Sequence, residues 1–297
     1  MRRHFLLIAN PTAGRGRDAR LAQVLTHLAA AGARVERSPA GDAKTAEAAA
    51  RRAGESGAYD AVIAAGGDGT IRRAAIGLAG TPTPLGVIPM GTGNVLAHEL
   101  GLDLAPRALA GMLLHGATSS IKLAEANGVP FLLMAGVGFD GRVIAGLNQR
   151  AKQSIGKTAY VGPVLGALRH AGDNLTVAVD GAKMHASWAL ITNARHYGGG
   201  FILAPGTHVM QPGLQAILFH GKGWPRRVSQ LLSVALGRME RRALRKPRDV
   251  TILPCRQAVI SSAVPVPVQI DGDANAAVAR LEIGLGNGKV QLICRQA

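Results

Sequence analysis

The sequence predicts a two-part fold in which an α/β domain precedes a β-rich domain. Through residue 100, short apolar runs alternate with stretches of helical periodicity, a pattern that indicates βαβ units and a parallel sheet covered by helices. Beyond residue 120 the runs are of β type. Turn signals such as Asp180-Gly181 and Asn287-Gly288 separate several of them, which favours an antiparallel sheet.

Each predicted element rests on a local pattern. In the first part the predicted strands cover 5–9, 33–36, 61–65 and 86–89, and the predicted helices cover 21–30, 45–55, 71–78 and 95–100. In the second part the predicted strands cover 132–137, 175–179, 188–192, 214–219, 250–253, 258–261, 266–270, 279–283 and 289–293. A helix is predicted over 158–170, inside the β-rich part.

Composition indicates a folded protein with a strong positive charge. Apolar residues make up 47% of the chain and aromatic residues only 3%, so the core rests on Ala, Val, Leu and Ile. The net charge of +16 favours anionic partners such as nucleotide phosphates or an anionic membrane, with solvated basic faces as the alternative. Cys255 and Cys294 lie in no zinc-ligand spacing, so no zinc site is predicted.

The N-terminal apolar run covers 5–9 and stops at Asn10, which is too short for the core of a signal peptide. No segment approaches the about 20 apolar residues that a membrane-spanning helix needs. We therefore expect a cytoplasmic protein, and peripheral contact with the inner face of an anionic membrane stays open. Nucleic acid is not an expected partner, because the sequence offers no platform of stacking aromatic residues.

Glycine-rich loops follow three of the predicted strands. Residues 66–70 read Gly-Gly-Asp-Gly-Thr, residues 91–94 read Gly-Thr-Gly-Asn, and residues 10–16 contain Gly14 and Gly16. Glycine lets the backbone approach a phosphate closely, and the N–H groups at a helix start point toward the anion. Ligands of such sheets bind beyond the carboxyl ends of the strands, so the loops predict a phosphate site there.

Asp68 puts a carboxylate inside the loop 66–70. A carboxylate beside phosphates is unfavourable unless it holds Mg²⁺ or accepts a proton, which favours a functional role. The alternative is a tight turn with Asp68 as the helix cap, and residues 10–16 are equally compatible with an ordinary β-turn. No loop fits the Walker pattern GxxxxGK[ST] or a dinucleotide fingerprint, so neither of those sites is predicted.

Taken together, the loops resemble those of the catalytic-domain family of diacylglycerol kinases, sphingosine kinases and their bacterial relatives. The resembling segments are 10–14, 66–70, 91–94, 135–140, 156–161, 198–205 and 268–273. They cover nearly the whole chain in order. Membership implies an NAD-kinase-like α/β nucleotide domain, an antiparallel β-sandwich-like domain and an ATP site between them.

The resemblance implies domain boundaries and a reaction. We expect the nucleotide domain over 1–122 with a returning C-terminal segment 286–297, and a lipid-substrate domain over 123–285. The implied reaction moves the γ-phosphoryl of ATP, with Mg²⁺, onto the hydroxyl of a diacylglycerol or sphingoid-type lipid. A kinase of a soluble hydroxyl compound and a non-catalytic member that binds nucleotide or lipid stay open as alternatives, as does an oligomer.

Three acids take the catalytic roles that the resemblance implies. Asp271 is the predicted general base, and Asp68 is predicted to organise Mg²⁺ through water. Asp273 stands where the family has Glu, so its reach is shorter. The predicted nucleotide contacts are Asn10, Pro11, Gly14, Gly66, Gly67, Gly69, Thr70, Gly91, Thr92 and Asn94. Without the resemblance, a hairpin turn is the favoured interpretation of Asp271-Gly272.

Two stretches depart from the family's pattern, and a third is strongly basic. Arg72-Arg73 replace the usual Asn-Glu and either strengthen ATP binding or face solvent. The loop 207–213 has no carboxylate, so no structural metal is predicted there. Residues 222–248 carry nine Lys/Arg and one acid, with apolar residues at helical spacing. They predict a basic amphipathic helix that either lies on anionic lipid or packs on the β-rich domain.

Overall fold

The computed structural model describes residues 1–9, 17–38, 43–148, 156–211 and 213–295. The chain forms two compact units. The first comprises Met1–Leu123 and Asn287–Ala297, and the second comprises Ala124–Gly286. Parallel pairing dominates the first unit, whereas the strands of the second pair antiparallel.

Alternating strands and helices build the first unit. Its strands are β1 (His4–Ala9), β2 (Arg34–Arg37), β3 (Ala61–Gly66) and β4 (Leu85–Pro89). Its helices are α1 (Arg17–Ala30), α2 (Ala43–Ser56), α3 (Asp68–Leu78), α4 (Val95–Glu99) and α5 (Pro106–His115). The strand order is β4-β3-β1-β2, with every pair parallel. All residues of β3 are buried, as a central strand covered on both faces requires.

Apolar side chains of α1 and α5 close one face of this sheet. Val24 and Leu28 of α1 and Leu113 of α5 are fully buried together with Phe5 and Ile63 of the strands. Helix α5 is absent from the sequence prediction. It begins at Pro106, whose missing N–H is harmless in the first turn of a helix.

Antiparallel strands build the second unit. They are β5 (Ala117–Ala126), β6 (Val129–Phe131), β7 (Met134–Val137), β8 (Leu175–Val179), β9 (Ala182–Ala186), β10 (Trp188–Thr192), β11 (His196–Tyr197), β12 (Phe201–Ile202), β13 (Leu214–Phe219), β14 (Val250–Cys255), β15 (Gln257–Ile270) and β16 (Asp273–Cys294). The main order is β14-β13-β10-β7-β15-β16. Strand β5 through Leu123 and the residues of β16 from Asn287 onward belong to the first unit. There Leu292 of β16 pairs in parallel with Leu85.

The predicted combination of an α/β part and an antiparallel β-rich part is confirmed. Asp180 and Gly181 form the predicted hairpin turn, with φ of 47° and 91°. The prediction of a turn at Asn287-Gly288 is wrong, because both residues lie inside the long strand β16 and neither has a positive φ. The predicted strands 258–261 and 266–270 are likewise one strand, β15, whose pairing with β16 shifts register between them.

Helices of the second unit lie between its strands. They are α6 (Phe139–Ala145), a 3₁₀ helix (Gly156–Tyr160), α7 (Val161–Arg169), α8 (Trp224–Ala235) and α9 (Met239–Arg245). The single basic helix predicted over 222–248 is therefore two helices. They are separated where Gly237 takes a φ of 62°, a conformation that ends a helix. Within the described residues no helix has the length and apolarity to cross a membrane.

Candidate active site

Two glycine loops of the first unit touch through their backbones. Gly67 follows β3 and Gly91 follows β4, and a Cβ built on Gly91 would lie 2.6 Å from the Cα of Gly67. The Met90 N–H also donates to the Gly66 carbonyl at 2.7 Å. Because no side chain fits between the loops, glycine is required at the contact. Residues 67–70 and 91–94 of these two loops are half-buried.

The other residues of the first loop have distinct surroundings. The side chain of Thr70 packs over Gly66, where an added Cβ would lie 2.6 Å from the Thr70 hydroxyl oxygen. By contrast, a Cβ on Gly69 would meet nothing within 4 Å. Gly69 therefore faces open space at the first turn of α3, where backbone N–H groups suit an anion.

Asn94 closes the second loop on itself. Its side-chain oxygen accepts from the Gly91 N–H at 2.6 Å, and its amide donates to the Gly91 carbonyl at 2.9 Å. Asn94 also has a φ of 50°, which Asn tolerates better than most residues. Thr92 lies within the loop that this ring of hydrogen bonds fixes, and it is half-exposed.

Asp68 ties the two loops together. Its carboxylate accepts from the Val95 N–H at 3.1 Å and from the Leu96 N–H at 3.2 Å, which are the first two residues of α4. Asp68 is therefore not the N-cap of its own helix, as the capping alternative required. Gly67 occupies the N-cap position of Asp68's own helix, whereas the Asp68 carboxylate satisfies the N-terminal N–H groups of the next helix.

The two arginines after this loop do not share one environment. Arg72 is only 3% exposed, so it does not face solvent. Arg73 donates to Glu47 of α2 at 3.2 Å. Of the two interpretations from the sequence, solvation fails for Arg72, and Arg73 has an ion-pair partner within the unit. The predicted contacts Asn10, Pro11 and Gly14 lie outside the described residues.

In the second unit, Asp271 and Gly272 form the loop of a tight hairpin. Ile270 pairs with Asp273, and the two loop residues have φ of 49° and 81°. The hairpin-turn interpretation is thus correct as local structure. Asp273 begins β16 as a half-buried residue, and its carbonyl accepts from the Asn275 side chain at 3.0 Å.

The Asp271 carboxylate lies in a cradle of backbone N–H groups. Oδ2 accepts from Leu132 at 2.6 Å, while Oδ1 accepts from Leu133 and Met134, each at 2.8 Å. The Asp271 N–H donates in turn to the Met134 carbonyl at 2.9 Å. Asp271 is 7% exposed, so these bonds fix a buried carboxylate at the start of β7.

A buried polar network supports this turn, and sequence reasoning missed its members. Gln269 accepts from the Gly272 N–H at 2.8 Å and donates to Asp140 at 2.6 Å. Tyr197 donates to the other oxygen of Asp140. Burial raises the pKa of the Asp140 carboxyl, and the bonds from Tyr197 and Gln269 oppose that rise. Gln269 had one signal in the sequence, because it is the polar residue of the otherwise apolar run 266–270.

No cluster of three potential metal ligands occurs among the described residues. The residue proposed for Mg²⁺, Asp68, brings a single carboxylate, as suits a Mg²⁺ ion that keeps most of its waters.

Comparisons with known proteins agree on one class. The model of the diacylglycerol kinase catalytic domain matches residues 4–126. A diacylglycerol kinase of Mycobacterium tuberculosis is 33% identical over 69% of this chain and 71% of its own length. A protein of Pseudomonas putida that is named as a YegS-like lipid kinase is 36% identical over 56% of this chain and 56% of its own length. Among solved structures, a diacylglycerol kinase of Bacillus anthracis has a TM-score of 0.71 at 18% identity, covering 99% of this chain and 97% of that one.

An NAD kinase of Archaeoglobus fulgidus, solved in complex with ATP, has a TM-score of 0.53 at 13% identity and covers 99% of this chain and 94% of its own. The chain thus shares its fold with solved proteins that are named as kinases. The chain belongs to the diacylglycerol kinase family. The chain covers 71%, 56% and 23% of the length of three curated relatives. It spans about half the length of several curated relatives that it matches.

Proposed function

We propose that the chain transfers the γ-phosphoryl of ATP to the hydroxyl of a diacylglycerol or sphingoid-type lipid, using Mg²⁺. The observation that carries the proposal is the contact between the Gly67 and Gly91 loops, which brings two backbone segments together with no side chain between them. The names of the relatives supply the lipid class, and the NAD kinase of the same fold supplies ATP as the donor.

The residues present fit a nucleotide in two respects. Gly69 opens onto free space at the start of α3, and Gly67 and Gly91 could not be larger without separating the loops. Backbone N–H groups of these glycines would bind phosphate oxygens, with the hydroxyls of Thr70 and Thr92 as further donors. Asn94 and the undescribed Asn10, Pro11 and Gly14 complete the proposed nucleotide contacts, and Gly66 provides room for Thr70.

Mg²⁺-ATP would supply the phosphoryl group and neutralise its charge. We propose that Asp68 orients the water shell of the ion. The bonds from the Val95 and Leu96 N–H groups hold its carboxylate in a fixed position for that role. We propose that Asp271 accepts the proton of the lipid hydroxyl. The backbone N–H groups of Leu132, Leu133 and Met134 hold this carboxylate in place for that role. Asp273 is the proposed auxiliary acid.

Several finer points belong to the same proposal. We propose residues 1–122 with 286–297 as the nucleotide domain and 123–285 as the lipid domain. A cytoplasmic protein that meets its lipid at an anionic membrane would suit the reaction. The competing function is phosphorylation of a soluble hydroxyl compound, which the fold of the NAD kinase relative favours.

A transfer assay distinguishes these functions. The full chain is incubated with Mg²⁺ and γ-labelled ATP over diacylglycerol, sphingosine, ceramide and NAD, each in detergent where needed. We expect label in the organic phase with one of the lipids. Transfer of label to NAD would favour a soluble acceptor. Tight ATP binding without any transfer would contradict a catalytic function.

A further inference from the structure

Helix α8 buries two polar residues of a kind that an ordinary surface helix exposes. The residues it buries most deeply are Arg227 at 2% exposure, Gln230 at 0% and Val234 at 4%. Leu232 is 56% exposed, and Leu236, just after the helix end, is 59% exposed. A surface helix normally turns its apolar side to the core and its polar side to water. Here two leucines face solvent while an arginine and a glutamine lie inside.

Hydrogen bonds fix α8 in this orientation. The Arg227 guanidinium donates to the His170 carbonyl and, at 3.4 Å, to the Leu168 carbonyl at the end of α7. The Gln230 amide donates to the carbonyls of His220 at 3.2 Å and Asp249 at 3.1 Å. Turning the leucines inward would break these buried bonds, so their exposure is a stable property of the fold.

The elements that contact α8 add further exposed apolar groups. Helix α7 and strand β12 both touch α8. On α7, Leu165 is 53% exposed, and on β12 Phe201 and Ile202 are each 41% exposed. Trp224, the first residue of α8, is 64% exposed. We name as the apolar surface Leu165, Phe201, Ile202, Trp224, Leu232 and Leu236.

Basic residues follow this surface along the chain. Six exposed side chains make no ion pair with a described carboxylate: Lys222, Arg238, Arg241, Arg245, Lys246 and Arg248. Arg226 and Arg242 differ from them, because both pair with the buried Asp249. Between residues 222 and 248 the chain has one acid, Glu240. The segment therefore joins exposed apolar groups to uncompensated positive charge.

We propose that the apolar surface and these basic residues dock the protein on an anionic lipid bilayer. Leucines and Trp224 would enter the interfacial layer, where Trp is favoured, while Lys and Arg would bind lipid phosphates. A second copy of the chain suits this face less well, because a net charge of +16 on each copy would repel. The proposal rests on the proposed lipid acceptor, since docking brings the enzyme to a substrate that stays in the membrane.

Trp224 makes the docking directly observable. The chain has two tryptophans, and Trp188 is 1% exposed and stacked on Phe219 with ring centres 3.5 Å apart. Vesicles of phosphatidylcholine and phosphatidylglycerol with brominated acyl chains quench only indoles that enter the bilayer. We expect quenching of the wild-type protein and none of Trp224→Phe, which retains Trp188. Unquenched wild-type fluorescence in the presence of bound vesicles would overturn the proposal.

Sedimentation with the same vesicles separates the apolar and basic contributions. We expect Leu232→Ser/Leu236→Ser to lower the partition coefficient at all salt concentrations. Arg241→Gln/Arg245→Gln should lower it about fivefold per charge at low salt and much less at high salt. Val264→Ser, which alters another apolar side chain at 63% exposure, is the matched control and should bind as wild type. Equal binding by all four proteins would overturn the assignment.

Activity assays keep this inference separate from the proposed function. With a lipid acceptor dispersed in detergent, the leucine and arginine variants should turn over like wild type, whereas activity on anionic vesicles should fall with their binding. Full detergent activity without any vesicle binding would end the docking proposal and leave the kinase intact. Vesicle binding without phosphoryl transfer would support the docking and contradict the proposed kinase activity. A dimer that Leu232→Ser/Leu236→Ser dissociates, with vesicle binding unchanged, would assign the surface to a second copy.

Discussion

Asp68 and Asp271 are both held by backbone N–H groups, but the surroundings of the two carboxylates differ. Asp68 accepts two bonds from the start of a five-residue helix, beside loops that face open space. Asp271 accepts three bonds in a buried turn that Gln269 and Asp140 support. The comparison teaches that one acid joins two half-buried loops, whereas the other is built into the core of its unit.

Turnover is where the two acids should behave alike. We expect Asp68→Asn and Asp271→Asn each to lower kcat about 10²–10⁴-fold, because one loses the charge that orients the metal's water and the other loses the base. Label transfer to the preferred lipid is the measurement, with Asp273→Asn as the control of smaller effect. Wild-type turnover by either Asn variant would remove that acid from the reaction.

Stability should separate the acids. In Asp271→Asn the new amide NH₂ faces the Leu132 N–H, so the free energy of unfolding should fall by roughly 2–3 kcal/mol. The same change at Asp68 disturbs a half-exposed pair of bonds and should cost about 1 kcal/mol. Urea unfolding measures both. An Asp68 variant that is the less stable of the two would reverse the comparison.

The glycine contact allows a test within the first unit. Gly91→Ala forces a methyl group to 2.6 Å from Gly67, which should cost about 1–3 kcal/mol of stability and weaken ATP binding. Gly69→Ala meets nothing within 4 Å, so its fold should persist and it serves as the matched control for stability. Thermal unfolding and nucleotide titration report the two effects. Equal stability of both variants would mean that the loops do not need their close approach.

Each unit carries one cysteine, which reports on that unit. Burial raises the pKa of the Cys255 thiol to about 12 and that of the Cys294 thiol to about 11, above the ordinary value of 9.0. The folded state therefore keeps protons that the unfolded chain releases. Stability from each thiol is intact below pH 9 and declines as pH rises toward the folded pKa, by about 1.4 kcal/mol per pH unit.

The measurement is urea unfolding of wild type and Cys255→Ala at pH 8 and pH 10. We expect the wild type to lose more stability than the variant across this interval. Identical losses would show that the Cys255 thiol does not stay protonated in the fold. Labelling by a thiol reagent at pH 8 should be slow in both units, and slower at buried Cys255 than at half-buried Cys294.

The sequence sufficed where local pattern decides structure. Apolar runs between turn residues predicted β8, β10 and β13 to the residue, and a buried run with glycine after it predicted β3 and the loop that follows. Where long-range contacts decide, it failed. The partners Gln269 and Asp140 are 129 positions apart, so no local window reveals their bond.

Helix α8 shows the same limit. Its apolar spacing predicted a basic amphipathic helix, but Arg227 and Gln230 take the inner face because they donate hydrogen bonds to carbonyls of Leu168, His220 and Asp249. The Asn287-Gly288 error has a related cause. Asn-Gly favours a turn, but strand pairing keeps both residues extended within β16.

Binding of Mg²⁺-ATP to the Asp271→Asn variant tests the division of labour most directly. Isothermal titration gives the Kd, and the same samples are then assayed for label transfer to lipid. We predict that the Asp271→Asn protein binds Mg²⁺-ATP with the wild-type Kd and transfers essentially no label, whereas Asp68→Asn loses affinity for Mg²⁺-ATP. An Asp271→Asn protein that fails to bind Mg²⁺-ATP while still folded, or that transfers label at the wild-type rate, would contradict the account.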